Sequence, residues 1–322
     1  MEILDILDVT QIEPRFKHPR IFEKFDSLNP NEGFIIDNDH DPKPLYYQLI
    51  GERGNVFTWD YLENGPERWK VKIRKIDGQD KVETIGEMVT KDYRKAQVFK
   101  KFGIDFCCGG KKTVEEVCLT KGLDSAKIIS ELEAVQNQEP AAGHKFDEWP
   151  LDFLADYIIN THHDYVKNNV PFITELANKV AKVHRQGHPE TIEIANIFNE
   201  VGKDLSLHLM KEENIVFPYV KALVQNTKTG EASPIAAFDS IETPTQMMEM
   251  EHEQAGEAMA AIRELTADYT LPEGACTSYT LLYKKLQEFE NDLFNHVHLE
   301  NNILFPKAIA LEKESLGSEV KK

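Results

Sequence analysis

The sequence predicts a mainly α-helical chain with an antiparallel four-helix bundle, preceded by a small helical module around a Cys-Cys pair and by a small N-terminal α/β domain. Residues 146–312 carry four long helical patterns joined by short linkers, which is typical of such a bundle. Residues 83–138 show short helices around one unusual loop, Phe106-Cys107-Cys108-Gly109-Gly110-Lys111-Lys112. Residues 1–80 mix strand and helix signals, which indicates a separate α/β domain.

The elements of the first domain follow from local patterns. Residues 33–37 favour a short strand, and the proline-containing stretch 40–44 is a helix entry before a helix at 45–50. Residues 56–62 and 69–74 alternate with period two around the turn 63–66, which predicts a hairpin. These patterns indicate a small α/β unit, and the whole first segment is interpreted as β-α-β-α-β-β, of which these are the last four elements.

Four helices are predicted in the bundle, at about 150–183, 190–225, 242–268 and 275–311. Glycine and proline punctuate the linkers between them, at 187–189, 230–234 and 271–274. A polar stretch with proline and glycine, 136–143, is the predicted linker between the Cys-Cys module and the bundle.

Composition excludes several classes of protein. The 322 residues carry a formal net charge of −18, which argues against nucleic acid as the main partner because phosphate binding needs clustered Lys and Arg. No apolar run approaches the roughly 18 residues that a membrane span needs, and the acidic N-terminal stretch does not resemble a secretory signal. Four cysteines, two of them adjacent, do not make a disulfide framework, so we expect a reducing cytoplasm.

An internal repeat marks the bundle. His208-x-x-x-Glu212-x-Asn214-Ile215-x-Phe217-Pro218 matches His296-x-x-x-Glu300-x-Asn302-Ile303-x-Phe305-Pro306 residue for residue. The other two helices carry His163 and His252 at corresponding distances before these motifs. Each predicted helix therefore supplies one histidine, and the second helix of each half adds a glutamate one turn later on the same face.

Inward-facing side chains of a bundle can form a metal site, and four imidazoles with two carboxylates suit two non-haem irons bridged by the carboxylates. A single His–Glu pair at this spacing is usually a surface pair, but the repetition at one register favours metal binding. A ferritin-like site needs paired Glu-x-x-His motifs, and only Glu249-x-x-His252 fits that pattern.

Some neighbouring residues stay ambiguous from spacing alone. His162 and His163 point about 100° apart on a helix, so one of them misses the site, and the repeat spacing favours His163. His298 has no counterpart in the repeat and is interpreted as flanking the site. Glu251 and Glu253 flank His252. Two interpretations stay open for them: a solvated position on the helix surface, or a role beside the site in lining access to it or orienting a metal ligand.

These motifs resemble known proteins. Residues 150–310 are similar to a hemerythrin-like domain, and residues 83–312 together resemble the di-iron iron–sulfur cluster repair family. The resemblance rests on Asp105-Phe106-Cys107-Cys108-Gly109-Gly110-Lys111, on the two His-x-x-x-Glu motifs and on Glu251-His252-Glu253-x-Ala255-Gly256-Glu257. It implies His163, His208, His252 and His296 as terminal iron ligands and Glu212 and Glu300 as bridges. Oxygen-carrying hemerythrins use one more histidine, so this set leaves more open coordination.

The Cys-Cys pair is weighed separately. A disulfide between adjacent cysteines is strained, the two glycines give the backbone freedom, and Lys111 and Lys112 are expected to lower the thiol pKa values. The resemblance implies that Cys107 and Cys108 assist repair, and a buried structural pair is the alternative. Cys118 and Cys276 are expected to be plain core residues.

The first domain has a weaker resemblance, through His40-Asp41-Pro42-x-Pro44-Leu45, to a small family of unassigned function with a sulfur-carrier-type fold. No cysteine precedes Cys107, which excludes thiol-based sulfur transfer by this domain.

The resulting functional hypothesis is a cytoplasmic di-iron protein that repairs iron–sulfur clusters damaged by nitric oxide or oxidants, as an iron donor or through reaction with nitric oxide. Its partners would be damaged iron–sulfur proteins, with nitric oxide or oxygen as a small ligand and neither nucleic acid nor membrane. The alternatives are reversible oxygen or nitric oxide binding and sensing, and nitric oxide reduction. A homodimer is compatible with the sequence, which does not decide the oligomeric state or whether the chain is an enzyme.

Overall fold

The computed structural model describes residues 5–53, 56–76, 82–136, 145–229 and 238–319. The chain divides into two compact units, Met1–Thr84 with Lys112–Ile129, and Ile85–Lys111 with Ser130–Lys322. Residues 112–129 thus belong to the unit of the N-terminal sheet, and the division into domains 1–80, 83–138 and 146–312 stays a prediction. Gln136, the first residue of the predicted linker 136–143, ends a helix, and the rest of that linker and the linker 230–234 lie outside the described residues.

The N-terminal elements confirm the expected order. They are β1 (Asp5–Asp8), α1 (Pro14–Asp26), β2 (Gly33–Asn38), α2 (Lys43–Arg53), β3 (Phe57–Asn64) and β4 (Trp69–Lys75). The sheet order is β1-β2-β4-β3, with β1 parallel to β2 and the other neighbours antiparallel. Alternating residues Phe34, Ile36, Val71 and Ile73 are fully buried, so one face of the sheet carries the core of this unit.

Short helices follow the sheet: α3 (Ile85–Lys91), α4 (Lys95–Lys101), α5 (Val114–Lys121) and α6 (Ser125–Gln136). The start of α5 is a capping box, because Thr113 and Glu116 each bond the other's backbone N–H. Gly122, at φ 66°, ends it in the left-handed conformation that glycine tolerates. Leu119 packs against the core of the N-terminal sheet, and Lys43 Nζ donates to the carbonyl of Leu119.

The bundle confirms the four predicted helices, with small differences at their ends. A 3₁₀ turn (Phe146–Glu148) leads into α7 (Leu151–Ile158), α8 (Asp164–His184), α9 (Glu190–Lys211), α10 (Phe217–Thr229), α11 (Glu242–Leu265), α12 (Thr277–Leu299) and α13 (Phe305–Glu319). Helix α8 packs against α9 and α12, and α11 packs against the same two helices, which closes a four-helix ring. Within the described ranges, no helix is both long and apolar enough to cross a membrane.

In the described part of the bundle, three π-helical turns interrupt the helices, at Ile159–His163, Glu212–Val216 and Glu300–Leu304. In the last two, the N–H of Phe217 or Phe305 bonds the carbonyl five residues earlier, that of Glu212 or Glu300. The next residue in each case is a proline, which has no N–H to continue a regular α-helical ladder. Such wide turns occur often at functional sites, and all three contain or begin at a predicted ligand.

Candidate metal centre

The bundle brings all six predicted ligands together. His163 ends the first π turn, His208, His252 and His296 lie on α9, α11 and α12, and Glu212 and Glu300 begin the other two π turns. None of the six side chains is more than 2% exposed. Residues from four helices thus converge on one buried point of the bundle.

The six side chains form two overlapping groups that share both carboxylates. One group is His163, Glu212, His296 and Glu300, and the other is His208, Glu212, His252 and Glu300. Glu212 Oε2 lies 3.4 Å from His163 Nε2, while its Oε1 lies 3.2 Å from His208 Nε2. Glu300 Oε1 lies 3.0 Å from His296 Nε2, and its Oε2 lies 3.2 Å from His252 Nε2. Each carboxylate therefore faces both groups, as a bridge between two cations requires.

The histidine nitrogens indicate that a cation belongs between them. His208 Nδ1 lies 2.8 Å from a Glu251 oxygen, and His252 Nδ1 lies 2.8 Å from Asn301 Oδ1, so each Nδ1 is the donor. In the neutral rings both Nε2 atoms then carry lone pairs, yet these atoms are only 2.9 Å apart. Two facing lone pairs repel unless a proton or a metal ion lies between them, so the residues fit a metal ion.

The carboxylates support the same conclusion. Across the described part of the chain, neither Glu212 oxygen nor Glu300 Oε2 receives a hydrogen bond, and His163 Nε2 has no hydrogen-bond partner. Buried carboxylates without donors are costly, because an ionised group in a low-dielectric interior needs a compensating charge. A pair of bound cations would supply that charge.

The pKa values follow from the same geometry. Burial lowers the pKa of His163 and of His208, but Glu212 and Glu300 raise them to about 10 and about 9. Burial and the Glu300 charge raise the pKa of Glu212, but His208 and His163 lower it to about 2. The pocket therefore keeps its carboxylates ionised and favours positive charge where a metal would bind.

A second set of residues orients the histidines. His163 Nδ1 lies 2.8 Å from Glu213 Oε1, and Glu213 also pairs with Lys167 at 2.6 Å. Glu251 pairs with Lys211 in the same way while supporting His208, the outer role that the sequence left open for it. Sequence analysis missed Glu213 and Asn301, although both directly follow the glutamate of their repeat that was predicted to bridge, which is a signal that could have found them.

The structure separates the two adjacent histidines. His163 reaches both carboxylates, whereas His162 Nδ1 lies 2.9 Å from Asp292 Oδ1. The His162 ring stacks on His296, with 4° between the planes and 5.7 Å between the centroids. His162 therefore packs beside the centre and does not face the carboxylates.

Cys107 and Cys108 lie outside both ligand groups, in the loop after α4. The expected lowering of the thiol pKa values by lysines is wrong for Cys107, because burial, Cys108 and Asp105 raise its pKa well above the ordinary value. Lys111 instead pairs with Glu249 at 2.5 Å. Both cysteines are free, with Cys107 buried and Cys108 partly exposed.

The other two cysteines differ in their burial. Cys118 is buried, as expected, but Cys276 is exposed, so its assignment to the core is wrong. Cys276 directly precedes α12, and its Sγ lies 3.2 Å from His184 Nε2. A helix N-terminus at a chain surface does not need an apolar residue, which is why the core assignment failed.

His298 flanks the centre, as expected, but it is buried and anchors the cysteine loop. Its Nδ1 accepts a hydrogen bond from Asn302 Nδ2 at 3.0 Å, and its ring packs 5.7 Å from the Phe106 ring. Asn302 Nδ2 also lies 3.2 Å from the Phe106 carbonyl and 3.4 Å from that of Cys107. The neutral form of His298 thus accepts a hydrogen bond from Asn302, the residue that holds the cysteine loop.

This geometry predicts a pH dependence of stability. Burial lowers the pKa of His298 to about 4, whereas an unfolded chain has the ordinary value near 6.5. Between these two pH values only the unfolded chain takes up the proton. The contribution of neutral His298 to the unfolding free energy is therefore complete above about pH 6.5 and is lost as the pH falls toward 4. From about pH 7.5 to about pH 5, the metal-free chain should lose about 2 kcal/mol more unfolding free energy than its His298→Asn variant.

Urea unfolding of both metal-free chains at the two pH values checks this prediction. Asparagine keeps an acceptor for Asn302 but does not titrate, and the other histidines cancel in the comparison. Equal pH dependence in the two chains would show that His298 is accessible to protons in the folded state.

Removal of the first domain should leave the metal centre intact. All six ligands lie between His163 and Glu300, within the second unit. A chain that starts near residue 83 is expected to bind the same amount of iron, with the same absorption spectrum, as the full chain. Because Leu119 loses its packing partners, residues 112–129 should become more accessible to proteases in the shortened chain. Loss of iron would show that the first domain contributes to the site.

Comparison with known proteins covers all three regions. Residues 154–308 match the family described as hemerythrin HHE cation binding domain, residues 81–136 a domain of unknown function (DUF542), and residues 6–75 an uncharacterized conserved protein family (DUF2249).

Several similar proteins carry the name iron-sulfur cluster repair protein YtfE. The one from Pectobacterium carotovorum subsp. carotovorum is 34% identical over 227 residues, which is 70% of this chain and 96% of that protein. The proteins from Musicola paradisiaca and Yersinia pestis are 33% and 31% identical, with the same coverage of 70% and 96%.

Proposed function

This chain belongs to the family of iron–sulfur cluster repair proteins, and we propose that it restores damaged iron–sulfur clusters by donating iron from a carboxylate-bridged pair of ions in its bundle. The proposed ligands are the six predicted from the sequence: His163, His208, Glu212, His252, His296 and Glu300. The observation that carries the proposal is the pair of overlapping ligand groups that share Glu212 and Glu300.

The donor set suits iron that must also leave. Each group offers two imidazole nitrogens and oxygens from two shared carboxylates, and sites of histidine and carboxylate with open positions are typical of non-haem ferrous iron. When bound, iron supplies exchangeable coordination positions and redox chemistry. No thiolate lies in either group to hold the ion more tightly.

The protein's own residues set how firmly the ligands are held. Glu213 and Glu251 accept hydrogen bonds from Nδ1–H of His163 and His208 and so raise the basicity of these two rings. His252 instead donates its Nδ1–H to the neutral Asn301. Within the described residues, His296 Nδ1 has no hydrogen-bond partner. In each group, therefore, one histidine has carboxylate support and the other does not, which favours release of a metal ion without loss of the whole ligand set.

The proposal also covers where the protein acts, on which proteins, and with which small ligands. We place the protein in the cytoplasm, with iron–sulfur proteins damaged by nitric oxide or oxidants as its partners. Nitric oxide and oxygen are the small ligands that an open position on iron would accept.

An isotope experiment tests iron donation. The chain is loaded with labelled iron, incubated without oxygen with an enzyme whose cluster was damaged by nitric oxide, and separated from it. We expect recovered enzyme activity with labelled iron in the rebuilt cluster, and no recovery with metal-free protein. Recovery without the label would favour removal of nitric oxide over donation, and no recovery with the loaded chain would leave gas binding as the better hypothesis.

A further inference from the structure

Three potential metal ligands meet in the loop after α4, apart from the bundle centre. Asp105, Cys107 and Cys108 each offer one ligand atom, and these atoms lie within 4.8 Å of one another. The two sulfurs are 4.0 Å apart, and Cys107 Sγ is 2.9 Å from Asp105 Oδ1. Two thiolates about 2.3 Å from a tetrahedral metal ion are roughly 3.8 Å apart, so the observed sulfur separation already suits such an ion.

The backbone of the loop holds these atoms in place. Asp105 Oδ1 accepts the N–H groups of Cys107 and Cys108 at 2.9 and 3.0 Å. Asn302 holds the loop from the other side through the carbonyls of Phe106 and Cys107. Gly110 is required there, because a Cβ at this position would lie 2.4 Å from Asn302 Oδ1. The two sulfurs are therefore oriented before any ligand arrives, which reduces the entropic cost of binding.

A cavity of about 140 Å³ opens beside the cysteines and offers further oxygen ligands. Besides Cys107 and Cys108, its lining includes Glu249, Glu253 and Asn302. Lys111 also borders it, but this ammonium group is paired with Glu249. Asp105 and Glu253 therefore place negative charge beside the thiols, which favours a cation that brings its own positive charge.

The cavity also adjoins the bundle centre. Asn301 lines it and at the same time lies 2.8 Å from His252 Nδ1. Glu300, Asn301 and Asn302 are consecutive residues of one π turn. This turn therefore supplies a proposed bridging ligand, the residue that orients His252 and the residue that holds the cysteine loop. One residue separates the cavity from a ligand of the centre.

We propose that Asp105, Cys107 and Cys108 form a second metal site, which holds one thiophilic divalent ion, ferrous iron during repair, between the bundle centre and the recipient cluster. This rests on the proposed donation of iron. Binding forms two sulfur–metal bonds and one oxygen–metal bond. The two thiol protons are released to solvent, and no electron is transferred. Glu249 and Glu253 border the space where the ion would enter.

Cobalt(II) is the probe, because thiolate–cobalt bonds give a charge-transfer absorption that nitrogen and oxygen ligands of the bundle cannot give. The full chain, loaded with iron and with its thiols reduced, is titrated with cobalt(II) without oxygen. We expect one additional ion for each chain, together with the thiolate band. Cys107→Ser, Cys108→Ser should lose the band, and Asp105→Asn should weaken binding about tenfold or more. The exposed Cys276→Ser is the matched control and should retain both.

Two outcomes would overturn the second site: no thiolate band in the iron-loaded wild-type chain, or a band that persists in the double serine variant. The iron absorption of the bundle reports folding in every sample. If the double variant loses that absorption, the single variant Cys108→Ser, at the partly exposed position, tests the proposal instead. It must lower both the thiolate–cobalt band and the affinity for cobalt(II). A band without cluster reactivation would contradict the proposed donation of iron and leave the second site standing.

Discussion

Replacing Glu212 and Glu300 together by alanine is expected to abolish iron binding in the bundle. Each carboxylate faces both ligand groups, so the double variant leaves two imidazoles for each ion and no bridge. Either single substitution should also lower the iron content of both positions, because Glu212 approaches His163 with one oxygen and His208 with the other. Metal analysis of the purified chains measures this loss directly.

Thermal stability gives a second measurement of the same effect. A ligand at about 100 times its Kd stabilises the folded state by about 2.7 kcal/mol, so wild-type protein should gain a comparable amount when iron is added. The double variant should gain none. Full iron retention in Glu212→Ala, Glu300→Ala would refute the ligand assignment.

Two glutamates provide graded controls. Glu213 belongs to neither ligand group but contacts and orients His163, so Glu213→Ala should weaken metal binding by about 10- to 100-fold, less than loss of a bridge. Glu193 is exposed on α9, the helix that leads into the π turn of Glu213, and Glu193→Ala should leave the iron content unchanged. An equal loss in the Glu212, Glu213 and Glu193 variants would indicate a general charge effect and not coordination.

The double variant Cys107→Ser, Cys108→Ser is expected to keep its iron and its iron absorption band but to lose most of its ability to reactivate a cluster enzyme damaged by nitric oxide. Neither sulfur belongs to a ligand group in the bundle, which is filled by imidazoles and carboxylates. Serine is nearly the same size as cysteine but binds soft metal ions far more weakly. The loop should therefore keep its shape while losing its chemistry.

The Cys276→Ser variant is the control for general loss of a thiol, because Cys276 is exposed and far along the chain from the loop. Loss of iron from the Cys107→Ser, Cys108→Ser chain would place a cysteine at the centre. Undiminished reactivation would mean that the pair is structural, and it would favour the gas-binding alternative, which does not need the cysteines.

Local rules explain why the fold could be predicted so far. Alternation predicted the hairpin of β3 and β4, and the helical period predicted the four bundle helices that contain α7 to α13. The π turns were not predictable in the same way, because they depend on one extra residue in a turn that the surrounding helices must accommodate. The thiol pKa of Cys107 could not be predicted either, because burial and Asp105 outweigh the nearby lysines.

The sequence by itself determined the candidate ligand set, because a repeated His-x-x-x-Glu motif places its two side chains on one helical face wherever the helix lies. It also favoured His163 over His162 through the repeat spacing. Only the tertiary structure decided how the six groups pair, with each carboxylate facing two histidines on different helices. The same holds for Glu213, Glu251 and Asn301, since their contacts cross between helices. Interhelical distances depend on packing of the whole core, and no spacing along one helix encodes them.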